Sequence, residues 1–104
     1  MSDPHRRVVA WSTALHREIA ARLRADPDAV LAKASLNLQR WRAQFGGTLP
    51  YCYREWERIL SGNLSVLECL LEADDENALR LKSSSPFAGI LTPRERLEIM
   101  RRAA

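Results

Sequence analysis

Side chains able to act as nucleophiles, acids or metal ligands are few in this chain and far apart. His5, His16, Cys52 and Cys69 show none of the close paired spacings that a tetrahedral zinc site needs. His16 stands three residues before Ile19 in a helical pattern and reads as a solvated or interfacial imidazole. Ser83-Ser84-Ser85 has no base set beside it by sequence, and a serine-rich connector is the simpler account. Asp74-Asp75-Glu76 could attract a cation, but three adjacent carboxylates point in different directions. They fit better as the acidic first turn of a helix, facing the positive end of its dipole. The expectation is a protein without catalytic residues, metal or cofactor, and not an enzyme.

Two sets of side chains have the chemistry of binding instead. Lys33, Asn37, Arg40 and Gln44 recur at steps of four, three and four, so they share one face of a helix. These are the residue types that reach phosphates and base edges, and the short turn before them could mimic a helix-turn-helix. Asp26 and Asp28 would stand at the end that should enter the groove, and a plain solvated face is the better account of the pattern. The second set lies near the carboxyl end. Phe87, Ala88, Ile90 and Leu91 are apolar, in a segment that Pro86 and Gly89 keep from regular helix. Such groups must pack against something. Either they close the core of their own domain, or Phe87, Ile90, Leu91 and Met100 form an exposed anchor rimmed by Arg94 and Arg96, a composition typical of protein interfaces.

The elements that would position these residues are all helical. Asp3-Pro4 opens a first helix whose stripe runs Val8, Trp11, Leu15, Ile19, Leu23 and which ends near Arg24. Asp26-Pro27 opens a second, with Leu31, Ala34, Leu38, Trp41 and Phe45 on one face, stopped by Gly46-Gly47. A third begins at Thr48-Leu49-Pro50, buries Tyr53, Trp56 and Leu60, and ends at Gly62. Asn63 or Ser65 caps a fourth, Leu64 to about Ala73, with Ser65 and Glu68 spaced as a reciprocal capping pair. Its apolar residues cover more than one face, so it is expected to be the most central element. A short fifth helix runs through Leu79 and Leu81. After an irregular connector over 83–91, Thr92, Pro93 and Glu95 form a capping box for a final helix over 92–103. Trp11, Trp41 and Trp56 each fall on a buried stripe and read as core, as do Cys52 and Cys69, free cysteines in apolar helical patterns. The predicted fold is a single all-α domain over 1–104, a compact bundle of five to six short helices.

Length and composition agree. A chain of 104 residues, 46% hydrophobic and 28% charged, can bury a core without disulfides or metal. No apolar run is long enough to span a bilayer and the start is no signal peptide, so a cytoplasmic protein with no membrane partner is expected. Charge is laid out in blocks. Residues 1–54 carry nine Lys/Arg against four Asp/Glu, residues 55–79 one against seven, and residues 80–104 six against two. Oppositely charged elements should therefore face each other, or separate surfaces should meet separate partners.

The run Ser84-Ser85-Pro86-Phe87-Ala88-Gly89-Ile90-Leu91-Thr92-Pro93-Arg94-Glu95-Arg96 is accompanied upstream by Leu15-His16-Arg17-Glu18-Ile19-Ala20 and Glu55-Trp56-Glu57-Arg58-Ile59-Leu60. Together they resemble a group of short all-helical bacterial proteins, found alone or after a DNA-binding helix-turn-helix, that are often regarded as antitoxins of toxin–antitoxin gene pairs. The likeness covers most of residues 11–104, and no DNA-binding unit is legible before Trp11. It implies a non-enzymatic protein-binding module that neutralises a protein toxin, or that associates with itself, through Phe87, Ile90, Leu91 and the last helix. The alternative is a small nucleic-acid-binding regulator using Lys33, Asn37, Arg40 and Gln44. No small-molecule substrate is suggested.

Overall fold

The computed structural model describes residues 3–103 of the chain, and within them every regular element is a helix. Helix α1 spans Pro4–Ala25, α2 Pro27–Gln44, α3 Tyr51–Leu60, α4 Leu64–Glu72, α5 Glu76–Lys82 and α6 Pro93–Ala103. The boundaries follow from local chemistry. Asp3 accepts from the His5 N–H at 3.0 Å and Pro4 occupies the first helical position. Asp26 ends α1 by donating its N–H to the Arg22 carbonyl, then caps α2 by accepting from the Ala29 N–H at 3.2 Å. One residue thus serves both helix ends. Helix α2 stops where Gly46 and Gly47 turn to φ of 75° and 105°, which lets the Gly47 N–H reach the Arg42 carbonyl at 2.8 Å.

The cap of α4 is Asn63, whose Oδ1 accepts from the Ser65 N–H at 2.7 Å. The expected Ser65–Glu68 pair does not form, because the Glu68 carboxylate turns to Arg24 on α1. Asp75 caps α5. The box at α6 forms as expected: the Thr92 N–H donates to Glu95 Oε1 at 2.9 Å and the Glu95 N–H to Thr92 Oγ1 at 3.1 Å.

The core is built around Trp56, which is 0% exposed and donates its indole N–H to the Leu81 carbonyl at 2.8 Å. Leu23, Ala34, Leu38, Leu49, Leu67 and Leu71 close around it. The central element is α1, which packs against α2, α4, α5 and α6. Helix α4 is peripheral, contrary to expectation: it buries Leu67 and Leu71 but leaves Val66 and Cys69 exposed. It packs against α1, α3 and α5, yet its apolar residues cover more of its surface than those three neighbours enclose. Cys52 is half-buried, so neither cysteine is the enclosed hydrophobe that was expected. Trp11 and Trp41 are half-buried too; Trp41 leans on Tyr53 with ring centroids 4.9 Å apart. No helix among the described residues is long and apolar enough to cross a membrane.

Candidate functional site

The connector over 83–91 is where the expectations about binding meet the structure. Ser83 and Ser84 turn their hydroxyls back to the carbonyls of Arg80 and Leu81, finishing α5. Pro86 is fully buried, and Phe87, 3% exposed, stands edge-on to Trp56 at 5.5 Å and to His16 at 6.5 Å. Leu91 is buried and Ile90 packs half-buried against the same core. Phe87 and Leu91 therefore seal their own domain and cannot serve as an exposed anchor. Phe87 and Leu91 are directed inward, while Ala88 stays exposed, because the connector lies against His16 of α1, Asn37 of α2 and Trp56 of α3.

What fastens the connector is the face of α2 that could have been read as nucleic-acid-binding. Asn37 is buried, and its Nδ2 donates to the carbonyls of both Pro86 and Ala88 at 2.8 Å. Gly89, at φ 85°, comes so close that an added Cβ would stand 2.9 Å from Lys33 Cε. Asn37 is thus removed from any groove-reading role and Lys33 is half covered, which leaves Arg40 and Gln44 exposed without their neighbours. The four do not form one accessible face.

Exposed apolar side chains are spread over the surface, at Leu36, Phe45, Tyr51, Leu64 and Val66 as well as along α1 and α6, where Val8 lines an open cleft. These two helices run antiparallel: Trp11 near the start of α1 donates its indole N–H to the Met100 carbonyl at 3.1 Å, and Arg22 near its end pairs with Glu95. Helix α1 is packed unevenly. Residues 13–23 supply Thr13, His16, Ile19, Ala20 and Leu23 to the interior, whereas residues 4–12 supply none. Val8 is 56% exposed, and Leu97 on α6 is 52% exposed although α6 buries no residue at all. A cleft of about 940 Å³ opens beside this half of α1, with Val9, Ala10, Leu79 and Ile99 in its wall. A second, of about 400 Å³, separates Val8 and Val9 from α5. Of the predicted partner-binding set, Arg94 and Arg96 stand exposed here and Met100 is half-buried.

Charge reinforces the asymmetry. Four of the seven carboxylates in the acidic block are paired within the molecule: Glu55 holds Arg80 at 2.9 Å, Glu57 holds Arg42 at 2.5 Å, and Glu68 and Glu72 hold Arg24. Arg94, Arg96 and Arg101 on α6 make no ion pair among the described residues. Glu95, which does pair, has its pKa drawn down to about 2 by the Thr92 backbone N–H and by Arg22.

One functional side chain escaped sequence reasoning. His16 is 6% exposed, not solvated. Its Nδ1 lies 2.7 Å from the Ser12 carbonyl, which can only accept, so Nδ1 carries the proton and Nε2 is a bare acceptor. Nε2 is buried and has no partner. Burial lowers the pKa from 6.5 to about 4 against the pull of the Ser12 carbonyl, with Lys82 and Arg96 lowering it further, so the ring is neutral at pH 7. The signal was available, since residues 16, 19 and 23 share the steps of a buried stripe. Lys82 is buried as well, its ammonium donating to the Ala73 carbonyl. No three His, Cys, Asp or Glu among the described residues gather as a metal site would need. Comparison with protein-family models, with curated proteins and with solved structures returns no match.

Proposed function

We propose that this protein is a non-enzymatic protein-binding module, and that it acts as the antitoxin of a toxin–antitoxin pair by covering a protein toxin. The contact surface is the first half of α1 together with the outer face of α6, in place of the connector. One observation carries this reading. The helix at the centre of the bundle leaves its first nine residues, 4–12, without a buried side chain while they carry Val8, Val9, Ala10 and Trp11 between open clefts. Val8, 56% exposed, continues the stripe of Trp11 and Leu15 past the half-buried part of the helix, and a partner's helix laid there would bury it. The unpaired arginines of α6 favour a partner that presents acidic residues around that helix. The choice of a toxin as that partner rests on the resemblance carried by residues 84–96.

The test is a growth experiment. The product of a co-transcribed neighbouring gene should be harmful alone and harmless when this protein is present. Val8→Asp combined with Leu97→Asp, both at exposed positions, should abolish rescue while leaving the helical circular dichroism unchanged. Full rescue by the double variant would remove the proposed surface, and a harmless neighbour would remove the antitoxin reading.

A further inference from the structure

A cleft of about 300 Å³ lies between α1, the connector and α6, and protein binding leaves the buried imidazole in its lining without a role. Trp11, Leu15, Phe87, Leu91 and Met100 line it together with His16 and the exposed Arg96. We propose that this cleft is a binding site for a small aromatic carboxylate bearing a hydroxyl or ring N–H, with that donor on His16 Nε2 and the carboxylate on Arg96.

Three features of the cleft converge on that chemistry. First, the Nδ1–H is committed to the Ser12 carbonyl in its own helix, which turns Nε2 to the far edge of the ring, away from the α1 backbone. A buried acceptor with nothing to accept from is costly, and a donor entering the cleft would remove the cost. Because the imidazole is neutral at pH 7, it selects a donor and gives nothing to a carbonyl ligand. Second, the volume and the apolar walls suit one ring with a short substituent, at the small end of natural ligand pockets, which begin at roughly 300 Å³. Third, Arg96 is exposed, makes no ion pair among the described residues and sits where the outer end of such a molecule would emerge. A cationic ligand would meet Arg96, and a purely apolar one would leave Nε2 unsatisfied. Nε2 has no contact with solvent, so a side chain must move to admit the donor. Unbranched Met100 is the wall residue with rotamers to spare. The cleft shares Val8, Trp11 and Arg96 with the surface proposed for the protein partner, so it is probed on the isolated chain.

The experiment uses the full chain and three probes: 4-hydroxyphenylacetate, phenylacetate and 4-hydroxybenzyl alcohol. Titrations are followed by the ¹⁵N resonance of His16 Nε2 and by the indole N–H of Trp11. The first probe should bind and move both signals. Phenylacetate, lacking the donor, should bind about tenfold more weakly, the factor one such hydrogen bond carries, and leave Nε2 unmoved. Arg96→Ala, at an exposed position, should weaken 4-hydroxyphenylacetate about tenfold and leave 4-hydroxybenzyl alcohol unchanged. Equal binding of the first two probes with Nε2 unmoved overturns the proposal, as does a flat titration with all three at millimolar concentration.

Discussion

Asn37 commits both hydrogens of one amide to the carbonyls of Pro86 and Ala88, so it determines where the connector lies. Asn37→Ala would leave two carbonyls facing a void and should cost about 2–3 kcal/mol in urea unfolding, whereas Gln39→Ala on the exposed side should change stability by less than about 0.5 kcal/mol. Asn37→Asp should be at least as damaging as the alanine change, since its oxygens would face oxygens. His16 governs the response to acid. Folding lowers its pKa from 6.5 to about 4, so between those values the unfolded chain takes up the proton first. Stability should be undiminished above about pH 6.5 and fall by up to roughly 3 kcal/mol as the pH drops to about 4. The urea midpoint of His16→Phe should lack that slope, and parallel curves for the two proteins would mean that the imidazole is solvated. Glu95 acts in a lower window. Its depressed pKa adds stability that is complete above 4.5 and is lost as the pH falls through about 2. Both residues were visible in the chain, but their roles were not, because Asn37 looks alike whether its amide faces water or a carbonyl arriving from 49 positions away.

Helix α6 shows how little holds an element that buries nothing of its own. It has a reciprocal cap at Thr92 and Glu95, a tie from Glu95 to Arg22, and the half-buried Ile99 and Met100. Thr92→Ala should remove the cap and loosen the tie, costing about 1 kcal/mol. The loss should be seen as faster amide exchange in residues 95–99 without change in the exchange of α2; uniform acceleration would mean that α6 unfolds only with the whole bundle. The start of α6 was legible from Thr92, Pro93 and Glu95 alone, because a capping box is complete within four residues. The centrality of α4 was misjudged for the opposite reason: Leu64, Val66 and Cys69 carry apolar side chains but lie where the bundle has no further layer.

Across the molecule, stability should follow the packing of α1 and not its continuity as a helix. Amides in residues 6–12 should exchange measurably faster than those in 16–23, although one 22-residue helix contains both. Binding of a partner along that half should close the gap, while equal protection in the isolated protein would show that the apolar stripe is already satisfied. The charge blocks have a related consequence. Their acidic member is partly neutralised through Arg24, Arg42 and Arg80, while Arg94, Arg96 and Arg101 leave α6 an electropositive edge. Association with an acidic partner should therefore slow as salt rises, and Arg94→Glu with Arg101→Glu should slow it further at low salt.

Sequence alone determined the all-helical class, the number of helices within one, and most of their ends, since caps, glycine stops and apolar steps act over a few neighbouring residues. The direction in which Phe87, Leu91, Asn37 and His16 face was decided by the tertiary structure. Each is placed by contact with an element distant in the chain, and whether a side chain seals its own core or meets another molecule depends on what stands opposite it.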